Sequence, residues 1–250
     1  MNTTSTITGG AVLFSFDDTS VAEWVAALPL FAETGARATF FLSHPDYILG
    51  AQMAGVLQLQ AAGHAIGCHG LRHEKAVDAV AKWGVDGYLE RDVLPALALL
   101  REAGFNPTSF AYPCSQNDAV TDAALLRHFR HLRTGRSPGP GGRLKDLDVL
   151  FAPACDQPLR GCLSGTGIDY AGLPRRPDMI EQACEAIDRA RARCEVLVLY
   201  AHNISDAGPN HHIPPAALRQ ILAHAQASGL PSLTFDDLPP GGCAPDGGVE

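Results

Sequence analysis

Several signatures are missing from this sequence, and each gap removes a class of function. No CxxC pair occurs, and the seven cysteines are an odd number spread from Cys68 to Cys243. That argues against a disulfide framework or a structural zinc knot and leaves reduced, buried thiols. No Gly-x-Gly-x-x-Gly or Walker-type loop follows an apolar run, so neither a dinucleotide nor a P-loop site is expected. Basic residues are outnumbered, 19 against 27, for a net charge of -8, and no Lys/Arg run occurs. Nucleic acid and anionic membrane attract basic faces and are poor partners for such a chain. No apolar run reaches about 18 residues, so no membrane span is expected. Residues 1–10 hold no basic segment and the first apolar run starts at Ala11. The expectation is therefore no signal peptide and a cytoplasmic location.

What is present is an ordinary globular composition, 46% hydrophobic and 18% charged over 250 residues. That is enough for one large domain with a buried core. Short apolar runs predict strands at 12–16, 38–42, 65–68, 108–112, 131–133, 149–152, 196–200 and 232–235. Helical spacing predicts helices near 20–34, 51–62, 84–103, 118–129, 177–193 and 215–228, with Pro95 kinking the third or marking a first turn. Strand–helix alternation at this spacing predicts an α/β fold with parallel strands and crossover helices. Seven or eight strands fit a closed or nearly closed barrel better than an open sheet. The Gly- and Pro-rich stretch 137–142 reads as a loop within the domain, and 239–250 as a disordered tail.

In parallel barrels the reactive groups sit where strands end. The polar residues at those points are Asp17, Asp18, Ser43, His44, His69, His73, Pro113, Cys114, Ser115, Arg133, His202, Asn203, Asp236 and Asp237. Successive carboxylates leaving a strand point different ways, so one of Asp17 and Asp18 can hold a metal while the other faces a bound water. An isolated Asp-Asp can equally cap the next helix. His69 and His73, four apart, share one side of a turn, as in zinc sites. With Asp18 they make a His₂Asp set that leaves positions open, as hydrolytic zinc requires. His202 closes the most apolar run, 196–202, where it can be a fourth ligand or a general acid. Cys114 as a nucleophile lacks an orienting partner pattern, and Cys68 should face packing across its strand. His211 and His212 either lean over the site or lie in a solvated loop. The second Phe-Asp-Asp, 235–237, reads as a cap and turn.

The ordered set Ser15-Phe16-Asp17-Asp18, His69-x-x-x-His73, Phe110-Ala-Tyr112-Pro113-Cys114-Ser115 and Tyr200-Ala-His202 resembles the NodB-homology polysaccharide deacetylases, carbohydrate esterase family 4. The likeness runs from about residue 11 to 238, nearly the whole chain, and implies a domain over 8–238. It implies a single distorted (β/α) barrel of about seven parallel strands and a divalent metal, zinc first, with cobalt, manganese or nickel as alternatives. The substrate implied is an N-acetylated sugar or another N-acylated small molecule. Relatives of the family cleave formamides and cyclic imides. Carried onto this chain, the resemblance makes Asp18, His69 and His73 the metal ligands, Asp17 the general base and His202 the general acid. The backbone N–H of Cys114 would hold the oxyanion. Tyr112, Pro113, Tyr200 and His212 are then the candidate substrate contacts. Two positions depart from the pattern. Ala111 stands where the family has an arginine that steadies the base, and Arg133 is the candidate replacement. Tyr200 stands where the family has leucine. Asp146, Asp148, Asp156 and Asp169 are the candidates for the carboxylate that orients His202.

Overall fold

Alternate residues of the first strand face two different apolar layers. In β1 (Ala11–Asp18), Val12, Phe14 and Phe16 pack outward against helix residues such as Trp24, Phe31 and Leu218. Ala11 and Leu13 turn inward to a separate cluster with Phe41, Val196, Val198 and Phe235. A strand's period of two divides its side chains in this way when both faces are covered. The computed structural model of the protein describes residues 7, 9–154, 159–170, 178–208 and 211–240.

The remaining strands are β2 (Ala38–Leu42), β3 (Ala65–Cys68), β4 (Ser109–Ala111), β5 (His131–Gly135), β6 (Phe151–Pro153), β7 (Cys162–Gly167), β8 (Glu195–Ala201), β9 (Asn203–Ile204), β10 (His212–Ile213) and β11 (Ser232–Leu233). Seven of them form a closed parallel ring in the order β1-β2-β3-β4-β5-β7-β8, sealed where β8 pairs with β1. Helices α1 (Val21–Ala26), α2 (Leu28–Thr34), α3 (Ala51–Ala61), α4 (Ala76–Tyr88), α5 (Leu94–Glu102), α6 (Ala119–Leu125), α7 (Met179–Arg193) and α8 (Pro215–Ser228) surround it. The expected single-domain, seven-stranded (β/α) barrel is therefore the observed fold. Its outer layer stacks Phe16 on Phe40 at 5.4 Å, with Trp24 5.0 Å from Phe40. Each such ring, fully buried, contributes about 1.5–3 kcal/mol.

Two short strands complete the barrel's starting end. β11 pairs with Val12 and Leu13 of β1, below the point where β2 takes over at Phe14. β6 runs antiparallel to the first residues of β8, below the point where β7 joins at Val198. Phe235, Leu238 and Ala152 from these segments enter the inner cluster.

The sequence reading differs from this fold in four places. The strand expected at 149–152 shrinks to β6, preceded by a tight turn over Asp148–Leu150, and lies outside the ring. The ring strand β7 was not predicted at all, because Cys-Leu-Ser-Gly-Thr-Gly has two glycines, no aromatic residue and a single β-branched one, Thr166. Its Gly165 packs closely on β8: a Cβ there would sit 3.0 Å from Val198. The helix expected at 20–34 breaks at Ala27, and Pro29 falls in the first turn of α2, where its missing N–H costs nothing. The helix expected at 84–103 begins at Ala76, bends at Gly84 (φ 75°), passes through one π-turn at Leu89–Val93 and restarts with Pro95 in the first turn of α5. At the other end, the Pro239 carbonyl accepts a hydrogen bond from buried His131 (2.7 Å). The expectation for 241–250 lies outside the described residues. Among the described residues no helix is long and apolar enough to cross a membrane.

Candidate active site

The polar residues of the inner face gather at the ends of β1, β3, β5 and β8. Asp17 continues the inward series of Ala11, Leu13 and Ser15 and is 2% exposed. Asp18 leaves the strand with φ 80°, which turns its carboxylate away from the outward layer and leaves that side chain 42% exposed. A left-handed backbone at a non-glycine residue costs about 1–3 kcal/mol, least for Asp and Asn.

His69 extends β3 by donating its N–H to the Leu42 carbonyl (2.9 Å). Its buried imidazole lies with Nδ1 2.7 Å from the Ala111 carbonyl. A carbonyl only accepts, so Nδ1 carries the proton and Nε2 presents a lone pair. Burial holds the His69 pKa well below the usual histidine range, so the ring is neutral near pH 7. The chain then turns through Gly70 (φ 82°) and His73 (φ 57°), bringing the two imidazoles to 4.8 Å. Asp92, from the π-turn, braces this loop. Its carboxylate accepts the Arg72 N–H (2.6 Å) and its carbonyl the Leu71 N–H (3.0 Å). A Cβ on residue 70 would come within 2.4 Å of the Asp92 carboxylate, so the bracing requires glycine there. Asp18 Oδ1 lies 3.7 Å from His69 Nε2 and 3.5 Å from His73 Nε2. One donor atom from each of the three residues falls within 4.8 Å of the others. Two imidazole nitrogens and one carboxylate oxygen, with the His69 ring held in the right tautomer, fit a divalent metal of the zinc type.

Arg133 comes from β5, facing inward from across the ring. Its guanidinium pairs with Asp17 Oδ2, both side chains buried. The Tyr200 ring lies 4.4 Å from the guanidinium on one side and Phe41 5.6 Å away. Burial pushes the Asp17 carboxyl up, but Arg133, His69 and His202 outweigh it and hold the pKa below the usual carboxylate range. Asp17 is thus ionised at neutral pH. Its other oxygen, Oδ1, is buried and without a hydrogen-bond partner among the described residues. An unused buried acceptor of this kind costs stability unless something else binds there.

His202 follows β8. Trp24 Nε1 donates to its carbonyl (2.7 Å), fixing the backbone. Asp169, buried at the end of β7, accepts from both the His202 N–H (3.1 Å) and Nδ1 (2.7 Å). Burial alone pulls the His202 pKa down. The hydrogen bond to Asp169 and the charges of Asp17, Asp169 and Asp18 overcome it and hold the pKa at about 9. The ring therefore carries a proton on Nε2 near neutral pH. Of the four aspartates left open by the sequence, Asp169 is the one at His202. Asp148 pairs with Arg189 instead, Asp146 sits in a separate turn, and Asp156 lies outside the described residues.

Two expected substrate contacts are placed otherwise. Tyr112 points outward into the helix layer, 1% exposed, and its hydroxyl donates to Asp122 (2.7 Å). It has no access to the site, because its parity is that of Phe110 rather than Ala111. His212 enters the short β9–β10 ladder opposite Asn203, and its carbonyl accepts the Tyr170 N–H (2.7 Å). The imidazole that lies against His202 is that of His211, with ring centroids 4.9 Å apart. Pro113, Cys114 and Ser115 form a tight turn with Cys114 (φ 52°) and Ser115 (φ 55°) both left-handed and Cys114 exposed. Gly135 allows this turn to close on Tyr200: a Cβ at 135 would lie 2.3 Å from Ser115 Oγ and 2.6 Å from the Tyr200 hydroxyl oxygen.

The family profile for polysaccharide deacetylases matches residues 5–128. In fold, the chain is similar to a Mycobacterium smegmatis protein described as a polysaccharide deacetylase, at 19% identity and a TM-score of 0.60, over 95% of this chain and 89% of that one. It is similar to a Streptococcus mutans CE4 esterase at 16% identity and 0.59, over 91% and 87%. It is also similar to the catalytic domain of a peptidoglycan N-acetylglucosamine deacetylase from Eubacterium rectale at 18% identity and 0.53, over 97% of each. No curated protein matches in sequence.

Proposed function

Because this chain resembles the NodB-homology polysaccharide deacetylases in sequence profile and in fold, we propose that it is a metal-dependent amidohydrolase that removes N-acetyl groups from an amino sugar or glycoconjugate. One juxtaposition carries the reading. The donor atoms of Asp18, His69 and His73 lie within 4.8 Å of one another, beside an Asp17 that is ionised, buried and half unpartnered.

Asp18, His69 and His73 hold the divalent ion, with zinc favoured by the donor set. When bound, it polarises a carbonyl and lowers the pKa of water to about 7. Asp17 takes the proton from the attacking water through its unused oxygen. Arg133 keeps Asp17 ionised and oriented, the charge that the family draws from its third motif. The N–H of Cys114 donates to the oxygen that becomes negative in the tetrahedral state. His202 gives its Nε2 proton to the departing amine, and Asp169 holds the ring so that Nε2 faces the substrate. Water and amide become acetic acid and a free amine, with one proton taken by Asp17 and one given by His202, and the acid then loses its own proton to solvent as acetate. Pro113 and Tyr200 form part of the acyl pocket wall.

A second reading keeps the machinery and changes the acyl group. Tyr200 and Arg133 both stand in place of the family's pattern and touch each other at 4.4 Å. A more polar wall suits a formamide or another small amide. A glycan-binding protein without turnover is the remaining alternative. The test is acetate and formate release from N-acylated sugars by metal-stripped, zinc-reloaded and Asp17→Asn protein. The Asn variant should bind zinc as the wild type does and lose about 10²–10⁴ in turnover, the range for one general base. Turnover by the Asn variant equal to the wild type refutes the role of Asp17. Formate without acetate selects the second reading, and no release from any substrate selects the third.

A further inference from the structure

We propose that Asp169, His202 and His211 form a second divalent-cation site, and that filling it shuts the enzyme off. The three residues come from separate segments, after β7, after β8 and before β10. One donor atom from each lies within 4.8 Å of the other two, the same closeness that groups Asp18, His69 and His73. The Asp169 side chain is 1% exposed, so its charge is poorly screened by water. His211 Nδ1 is buried and has no hydrogen-bond partner among the described residues. A buried imidazole nitrogen of that kind lacks a donor or a metal.

The segment carrying His211 is held, not loose. Asn203 donates to the His211 carbonyl (3.2 Å), and the β9–β10 ladder follows at once. The two imidazoles lie 4.9 Å apart at 31°, so both can turn nitrogens towards one point beside Asp169. Two nitrogens and one carboxylate oxygen are a zinc-type set, equally open to copper or nickel.

Binding there requires the proton that His202 shares with Asp169 to leave for solvent, since a ligating imidazole nitrogen must be bare. The first set already presents a bare Nε2 at His69 and displaces no such hydrogen bond. The second site is therefore the weaker one. A chain with one ion is active; a chain with two has lost the Nδ1 hydrogen bond by which Asp169 orients His202 and sustains its positive charge. The binding does not depend on the proposed function. Only the inhibition rests on it.

The experiment titrates metal-stripped full-length protein with zinc by equilibrium dialysis and metal analysis, with acetate release measured alongside. Wild type should bind two equivalents. His211→Phe, which keeps a ring against His202 but has no nitrogen, should bind one. Asp18→Asn should lose the tighter equivalent and retain the weaker. Activity of the wild type should rise with the first equivalent and fall about tenfold once free zinc reaches ten times the second Kd, by mass action. His211→Phe should show the rise without the fall. Saturation of the wild type at one equivalent, two equivalents on His211→Phe, or none on Asp18→Asn each overturns the second site. If the stoichiometry holds and no amide is cleaved, the site stands and the enzyme assignment falls.

Discussion

Replacing Arg133 with Met is the sharpest perturbation of the site. The pair Arg133–Asp17 is buried on both sides, so removing the cation strands a carboxylate in a medium that disfavours its charge. Breaking a buried pair from one side costs about 3–5 kcal/mol, against a total stability of about 5–15 kcal/mol. The sign with pH follows from Asp17. In the wild type its folded pKa is lowered, so its contribution is present above the unfolded carboxylate pKa and lost as pH falls through the folded value. Without Arg133 the burial that pushes Asp17 up loses its main opponent, and the folded pKa rises above the ordinary range. The variant's deficit should then be greatest at pH 7 and shrink as pH falls and Asp17 takes up a proton. The acid limb of kcat/KM should move upward by about 1–3 on the pH scale, the usual effect of one adjacent opposite charge. The assay pairs urea unfolding at pH 7 and pH 5 with a pH–rate profile. Met at 133 with Asn at 17 should recover most of the lost stability, since neither charge remains, but no activity. A deficit below 1 kcal/mol at pH 7 together with an unmoved acid limb refutes the pairing argument.

Three further outcomes follow from the same geometry. Turnover should fall as pH rises through about 9, where His202 gives up its proton; Asp169→Asn should bring that limb towards neutrality, and an unmoved limb in the variant excludes Asp169 as the cause. Stripping the metal with a chelator should lower Tm by about 5–11 °C relative to protein at a hundred times Kd of zinc, because such binding adds about 2.7 kcal/mol; an unchanged melt excludes a bound ion in the folded state. Gly135→Ala should cost about 1–3 kcal/mol by forcing Ser115 and the Tyr200 hydroxyl apart, and should raise KM more than it lowers kcat, checked by thermal melts and steady-state kinetics.

What the sequence made legible is what short-range pattern encodes. Asp17, Asp18 and His69 stand directly after apolar runs, with His73 four residues on, and the barrel converts that position into closeness. Arg133 could be named because its strand was recognised and its neighbour Ala111 lacks the family's charge. Asp169 could not be chosen, because β7 is built of Gly, Ser, Thr and one Leu in its interior and carries no hydrophobic period to announce it. Once β7 is drawn, Asp169 falls two residues past its end, as His69 and His202 each fall one residue past theirs. Tyr112 was misread for a different reason. A strand end fixes position but parity fixes direction, and one residue's difference sends a side chain to the helix layer. The choice between His211 and His212 depends on a two-residue ladder that no periodicity reveals.

The floor contributed by β6, β11 and the Phe235 turn governs traffic as well as stability. With Phe235, Leu238, Ala152 and Leu159 stoppering the lower end, anything that reaches Asp17 arrives through the mouth formed by the strand termini and departs the same way. Under the proposed reaction, a chain-like substrate would lie across that mouth with one pendant group lowered into it, not be threaded through. The small acid product of that reaction would then leave only after the larger amine has lifted away.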